Sequence, residues 1–171
     1  SEARFIHVVR DPRDNYTSYH RKQSGWDAAF FAKNWRHSTK SGLVNRKKIG
    51  TERYWLLCFE DLLTKPEETL QEICTFLSID DDPILRIPTR AGEAWQGNSM
   101  FAEQFDQIST QPIGRWKNDL SPTEVYTIQQ ICDSEMHKLG YEKSQVAISE
   151  ISNKTRLQIT LEIAKVMLKG N

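Results

Sequence analysis

The sequence predicts an α/β fold, in which parallel strands are covered by helices on both faces. Two continuous apolar runs, residues 5–9 and 54–59, have the length of buried strands. A stretch with helical spacing follows each run, and this alternation is typical of parallel sheets. The chain has 171 residues, of which 38% are hydrophobic, so it is expected to form one domain with a packed core.

The first two helices are predicted from residues that favour helix ends. Asp11 offers an N-cap oxygen, Pro12 suits the first helical position, and Gly25 is a plausible stop. Apolar residues at helical spacing follow Gly25, and they predict a second helix that ends near Gly42. The basic residues 46–48 are then expected in a solvated loop.

Capping signals predict two further helices. Thr64 and Glu67 have capping-box spacing around Pro66, and Ser121 and Glu124 repeat that spacing. Apolar residues recur at helical spacing after both starts, so each helix is expected to bury one face.

The last part of the chain contains an irregular segment and a final helix. Residues 78–116 show no sustained period, which is typical of functional or mobile segments. A helix is predicted over about residues 154–169. Its apolar face consists of Leu157, Leu161, Ala164 and Leu168.

Composition argues against several classes of partner. Lys plus Arg and Asp plus Glu both number 23, so the bulk charge predicts no nucleic acid partner. The three cysteines, Cys58, Cys74 and Cys132, are widely spaced and indicate neither a disulfide framework nor a metal site. No stretch is expected to span a membrane. The cysteine usage suits the cytoplasm, although a Golgi enzyme with a removed anchor would have the same pattern.

The segment after the first strand has the residues of an anion site. Arg10 stands at the carboxyl end of the predicted strand, where open α/β sheets bind ligands. Asp11, Asn15, Ser18 and Lys22 are spaced along one face of the next helix. An arginine fork, a hydroxyl and an ammonium together could clamp a phosphate. A solvated helix face with i,i+4 pairs explains the same spacing equally well.

The stretch "VVRDPRDNYTSY" resembles the 3′-phosphate-binding segment of the sulfotransferases that use 3′-phosphoadenosine 5′-phosphosulfate (PAPS). In that family an arginine at a strand end precedes a helical serine by eight residues, as Arg10 precedes Ser18. Lys22 matches a further basic residue of the tyrosylprotein branch. Residues 56–79 and 112–141 resemble the family's strand, acidic turn and helix, and its C-terminal Gly-Arg-Trp segment.

The resemblance implies a three-layer, P-loop-kinase-like parallel sheet with helices on both faces. It also implies transfer of the sulfuryl group of PAPS to a hydroxyl or amine, which releases 3′-phosphoadenosine 5′-phosphate. Arg10, Ser18 and Lys22 would hold the 3′-phosphate. The acceptor would be a carbohydrate, a protein or a small molecule.

Further nucleotide contacts follow from the same resemblance. Phe59 stands where the family usually has a nucleotide-contacting tyrosine, so one hydrogen bond of ~0.5–1.5 kcal/mol is in doubt. Ser99, Ser109 and Arg115 match the family's late cofactor loop. Cytosolic members read Arg-Lys-Gly where this sequence reads Ser-Thr-Gln from Ser109, which favours the Gly-Arg-Trp branches.

No catalytic residue is assigned in this sequence. In the family, the loop that holds the 5′-phosphosulfate and the catalytic base precede the matched segments, so we expect both upstream of residue 1. The first strand and phosphate loop of the sheet are then missing. Residues 92–99 have P-loop glycine spacing, but Asn98 replaces the essential lysine, which makes that match a coincidence. His7 is expected to be packed or hydrogen-bonded in the core.

The resulting prediction is a sulfotransferase fragment. Residues 1–145 would be the C-terminal part of the sulfotransferase domain, and residues 146–171 a helical extension. The alternative is a non-catalytic nucleotide-binding or protein-interaction module. An exposed sheet edge or the apolar C-terminal helix would favour homo-oligomers.

Overall fold

The structure is a computed structural model, and it forms two compact units. The first unit comprises residues 1–10 and 42–113, and the second comprises residues 11–41 and 114–171. The described residues are 3–20, 25–87, 89–90, 93–94, 108–145 and 149–168. Because a parallel strand pair occurs together with many helices, the predicted α/β class is confirmed.

The first unit is built on two parallel strands, β1 (Phe5–Val9) and β2 (Tyr54–Cys58). They pair in register from Phe5 opposite Tyr54 to Val9 opposite Cys58. Both strands lie in the predicted apolar runs. The second ends one residue before the predicted end, because Phe59 already begins the short helix α3 (Phe59–Thr64).

Helix α4 (Pro66–Leu77) starts differently from the prediction. Its N-cap is Lys65, which makes no side-chain capping bond, so the predicted capping box of Thr64 and Glu67 is wrong. Thr64 belongs to the last turn of α3, where its hydroxyl donates to the carbonyl of Glu60 at 2.8 Å. Pro66 does take the first helical position, as expected for a residue without an N–H group.

The acidic residues after α4 serve local structure. Asp82 caps a 3-10 helix (Pro83–Arg86) by accepting the N–H of Ile84 at 2.9 Å. Asp81 forms an ion pair with Arg86. Two short antiparallel strands follow, β3 (Thr89–Arg90) and β4 (Glu93–Ala94).

Helix α2 (Ala28–Ile49) continues well beyond its predicted end at Gly42. That prediction is wrong because Gly42 does not terminate the helix. It lies within α2, at a point where His7 of β1 and Leu56 of β2 come close to the helix backbone. A Cβ atom on Gly42 would lie 2.6 Å from Nδ1 of His7 and 2.9 Å from Cδ2 of Leu56. Residues 46–48 therefore form the last helical turn, where basic side chains favour the negative end of the helix dipole.

The second unit is helical. It contains α1 (Pro12–His20), α5 (Trp116–Asp119), α6 (Pro122–Lys138), α7 (Asn153–Leu168) and residues 28–41 of α2. The capping box predicted for α6 is confirmed, since Ser121 Oγ accepts the N–H of Glu124 and Glu124 accepts the N–H of Ser121. The predicted apolar stripe of α6 is buried at Val125, Ile128, Cys132 and Met136, whereas its last residue, Leu139, is half-buried.

The described side chains on the apolar face predicted for the final helix are exposed. Leu157 and Leu161 on α7 are 62% and 53% accessible. Self-association through this face stays a prediction, as do the division at residue 145 and the three-layer arrangement. Among the described helices, none combines the length and the hydropathy needed to cross a membrane.

Candidate functional site

Arg10 directly follows β1 at its carboxyl end and is held from two sides. Its Nη2 donates to the carbonyl oxygen of Pro112 at 2.7 Å, and its guanidinium lies 5.1 Å from the centre of the Phe59 ring. The side chain is half-buried. A guanidinium over an aromatic face is attracted by the ring quadrupole, by about 0.5–1 kcal/mol when exposed and ~2 kcal/mol when desolvated. The arginine fork is therefore oriented by a backbone acceptor and a ring.

The strand register explains why Arg10 and Phe59 meet. Val9 is paired with Cys58, so the next residue of each chain segment emerges at the same end of the parallel pair. The resemblance predicts Phe59 only as a nucleotide contact that lacks the hydroxyl of the family's tyrosine. The structure adds a contact between its ring and Arg10, which the strand pairing could have indicated.

Ser109 belongs to the segment that holds Arg10. Its Oγ accepts the N–H of Gln111 at 3.2 Å, which is a local turn three residues before Pro112. Accepting this bond does not use the hydroxyl proton, which can still be donated. The structure thus brings Arg10 together with Phe59 and Pro112, and Ser109 lies three residues before Pro112 in the same unit.

Two other predicted residues lie in the second unit. Ser18 is on α1, and its hydroxyl donates to the carbonyl oxygen of Asp14 at 3.1 Å. Arg115 is the N-cap of α5, is half-buried, and follows Gly114, whose φ is 77°. Lys22 and Ser99 lie outside the described residues.

The other charged residues of the Arg-Asp-Pro-Arg-Asp segment form a buried network that sequence reasoning missed. Arg13 donates through Nε and Nη2 to the two oxygens of Asp11, at 2.9 and 2.6 Å, and through Nη1 to Gln129 at 2.9 Å. Asp14 accepts the N–H groups of Gly114 and Trp116. All three charged side chains are buried. On the predicted polar face of α1, Asp11 is buried, whereas Asn15 and Ser18 are half-buried. In the sequence, the opposite charges of Asp11 and Arg13, two residues apart, were the signal that could have indicated this network.

Titratable groups in the described core have packing roles. His7 shares a 2.9 Å hydrogen bond with the hydroxyl of Tyr54, as predicted for a hydrogen-bonded histidine. The residue is half-buried, and this burial lowers its pKa. Burial also raises the pKa of the Cys132 thiol, and the charge of Glu135 adds to the increase. Such a thiol is unreactive. No group of three or more His, Cys, Asp or Glu residues in the described part of the chain is arranged to hold a metal.

The parallel pair and the helices that follow its strands form an α/β fold, and solved structures with a similar fold are sulfotransferase domains. The chain matches a sulfotransferase domain from the curacin biosynthetic pathway with a TM-score of 0.63 and 20% identity, over 84% of this chain and 56% of that one. It also matches the sulfotransferase domain of the Synechococcus PCC 7002 olefin synthase, with a TM-score of 0.67 and 25% identity, over 83% and 50%. The chain thus spans about half the length of these solved structures.

The amino-acid sequence also matches this family. Residues 1–83 match the model of the sulfotransferase family. This match, over just under half of the chain, agrees with the resemblance predicted from the sequence. The chain's closer resemblance to the Gly-Arg-Trp and tyrosylprotein-like branches stays a prediction.

Proposed function

We propose that this chain is part of a PAPS-dependent sulfotransferase and binds the 3′-phosphate end of the nucleotide. The observation that carries the proposal is the guanidinium of Arg10, held against the Phe59 ring and the Pro112 carbonyl at the carboxyl end of β1. The family match of residues 1–83 includes both Arg10 and Phe59. Ligands of open α/β sheets bind at this end of the strands.

The chemistry of the residues fits a phosphate. A guanidinium presents paired N–H donors that match two phosphate oxygens, and such bonds are stronger than those between neutral groups. The carbonyl of Pro112 accepts from Arg10 at 2.7 Å, a distance that is also typical of a bond from a guanidinium to an anionic oxygen. Because the net charge of the chain is zero, attraction of the nucleotide would come from local groups of this kind.

The remaining nucleotide contacts are assigned by resemblance. Ser109 would donate its hydroxyl proton, and Arg115 would supply a second guanidinium. Ser18 would have to exchange its bond to the Asp14 carbonyl for one to phosphate, since a hydroxyl has a single proton. Lys22 and Ser99 complete the proposed set.

The proposed reaction moves the sulfuryl group from PAPS to an acceptor. The acceptor oxygen or nitrogen attacks sulfur, the bond between sulfur and the 5′-phosphate oxygen breaks, and 3′-phosphoadenosine 5′-phosphate leaves. The acceptor's proton passes to a base. We assign this chain the nucleotide end of that reaction, and neither the base nor the 5′-phosphosulfate loop.

The acceptor is a hydroxyl or amine of a carbohydrate, protein or small molecule. Of these three, we favour a small molecule under biosynthesis, because one structural neighbour is a domain of an olefin synthase. A cytoplasmic location and the P-loop-kinase-like layering of the whole domain belong to the same proposal.

Calorimetric titration with 3′-phosphoadenosine 5′-phosphate and with AMP tests the proposal. The chain should prefer the first ligand, and Arg10→Ala should abolish this preference. A hydrogen bond to a charged group contributes about 1.5–3 kcal/mol, so the expected loss of affinity is roughly tenfold to a hundredfold. Arg10→Lys keeps the positive charge but lacks the paired donors of the guanidinium. Its affinity for 3′-phosphoadenosine 5′-phosphate should therefore fall between those of the wild-type chain and Arg10→Ala.

Arg4→Ala is the matched control. Arg4 precedes β1 at its other end and donates to Ser78 Oγ at 2.6 Å, so its removal should leave both affinities unchanged. Equal affinity of the wild-type chain for the two nucleotides would refute the proposed site. Preserved 3′-phosphate preference in Arg10→Ala would refute the role of that arginine. The alternative of a protein-interaction module would then be favoured.

A further inference from the structure

The backbone turn at residues 114–116 is held by one buried carboxylate. Oδ2 of Asp14 accepts the N–H of Gly114 at 2.7 Å, and Oδ1 accepts the N–H of Trp116 at 3.0 Å. Asp14 is only 1% accessible. Hydrogen bonds to an ionised acceptor are roughly twice as strong as neutral ones. The carboxylate therefore anchors the residue on each side of Arg115.

The side chain of Trp116 is held by a second buried group. The guanidinium of Arg13 lies 4.2 Å from the centre of the Trp116 ring. Arg13 is in turn fixed by the bidentate pair with Asp11 and by Gln129. The turn is thus restrained through both its backbone and its aromatic ring, entirely within the second unit.

Gly114 provides the conformation that this arrangement needs. Its φ of 77° lies in the left-handed region, which a residue with a Cβ adopts at a cost. Space is not the constraint, since the one described atom within 4 Å of a Cβ on Gly114 would be Cε of Lys117, at 3.9 Å. The glycine is required for backbone direction.

We infer that Asp14 is the positioning residue for Arg115. We assign Asp14 no contact with the nucleotide; it fixes the turn from which the Arg115 side chain projects. The consequence for binding rests on the proposed function, in which Arg115 contacts the nucleotide. Within the Arg-Asp-Pro-Arg-Asp segment, only Arg10 is then assigned to the ligand. Arg13 and Asp14 instead restrain the turn that carries Arg115.

Amide hydrogen exchange in the ligand-free chain tests the positioning role directly. Asp14→Asn replaces one acceptor oxygen by an NH₂ donor, so the amide of Gly114 or Trp116 should exchange roughly tenfold faster or more. The control is Asp133→Asn, an exposed carboxylate on α6 that pairs with Lys143 at 2.6 Å. Unchanged protection of both amides in Asp14→Asn would overturn the inference.

Nucleotide titration tests whether Asp14 acts through Arg115. Asp14→Asn should weaken binding of 3′-phosphoadenosine 5′-phosphate by no more than Arg115→Ala does. The double variant should bind no more weakly than Arg115→Ala alone, because the turn then has no arginine to position. Additive losses of affinity would overturn the inference.

A second pair of variants keeps the test independent of the folding of Asp14→Asn. Gly114→Ala should weaken nucleotide binding, and again only when Arg115 is present. Gly140→Ala is its control, since Gly140 has a φ of 79° and no described atom within 4 Å of an added Cβ. Both variants carry the same backbone strain, so equal nucleotide affinity in the two would overturn the inference.

The two measurements separate this inference from the proposed function. If the wild-type chain shows no 3′-phosphate preference while Asp14→Asn speeds amide exchange, the proposed function fails and the positioning role is supported. If the wild-type chain prefers the 3′-phosphate and Asp14→Asn changes neither exchange nor affinity, the proposed function stands and the positioning role is refuted.

Discussion

Replacement of Gly42 by alanine should destabilise the chain, although alanine is the better helix former. Gly42 is buried inside α2, where the change alone would favour folding by ~1 kcal/mol. The added Cβ, however, would lie 2.6 Å from Nδ1 and 2.8 Å from Cε1 of His7. Contacts of this kind require the histidine ring to move, and its bond to Tyr54 would be lost.

The expected size follows from these opposing effects. Overpacking of a core costs about 1–3 kcal/mol. Loss of the hydrogen bond between His7 and Tyr54 costs about 1 kcal/mol more. After the helix-propensity gain, a net loss of about 2 kcal/mol remains, which lowers the melting temperature of a chain of this size by roughly 4–8 °C.

Thermal and urea unfolding followed by circular dichroism measure this change. Gly25→Ala is the control, because an added Cβ there meets no described atom within 4 Å and should leave stability unchanged or slightly higher. In a His7→Ala background, Gly42→Ala should become neutral or stabilising, since the main obstacle is gone. A stabilising Gly42→Ala in the wild-type background would refute the reasoning.

Three other predictions concern the ring contact, the helix cap and a buried phenol. Phe59→Leu should weaken binding of 3′-phosphoadenosine 5′-phosphate by about two- to fivefold in calorimetric titration, while Phe59→Tyr should retain the wild-type affinity. Equal affinity of Phe59→Leu and wild type would contradict a role of the ring. Ser121→Ala should cost about 1 kcal/mol in urea unfolding, and Thr123→Ala, an exposed hydroxyl in the same turn, should cost less. Burial and Glu124 raise the pKa of Tyr16 from 10.0 to about 12. Between these pH values the folded state retains a proton that the unfolded state loses, so the free energy of unfolding should fall as pH rises. Tyr16→Phe should flatten that part of the unfolding profile, and an unaltered slope would exclude Tyr16 as its source.

Local sequence signals predicted much of the described fold. The apolar runs identified both strands of the parallel pair, and the Ser121 capping box identified the start of α6, because these features depend on neighbouring residues. The same local reasoning failed at Gly42. A glycine in a helical pattern signals either a stop or a close contact, and only the position of His7 distinguishes the two.

The candidate site likewise has some features that the sequence predicts and others that only the tertiary structure decides. Arg10 could be singled out from its place after a strand and from its spacing to Ser18, both of which are properties of the sequence by itself. Its contacts with Phe59 and Pro112 join residues 49 and 102 positions away, and they depend on strand register and on the path of a distant segment. The burial of Asp14 and its bonds to Gly114 and Trp116 were likewise decided only by tertiary structure, because a carboxylate's partners depend on which backbone amides the fold brings within hydrogen-bond distance.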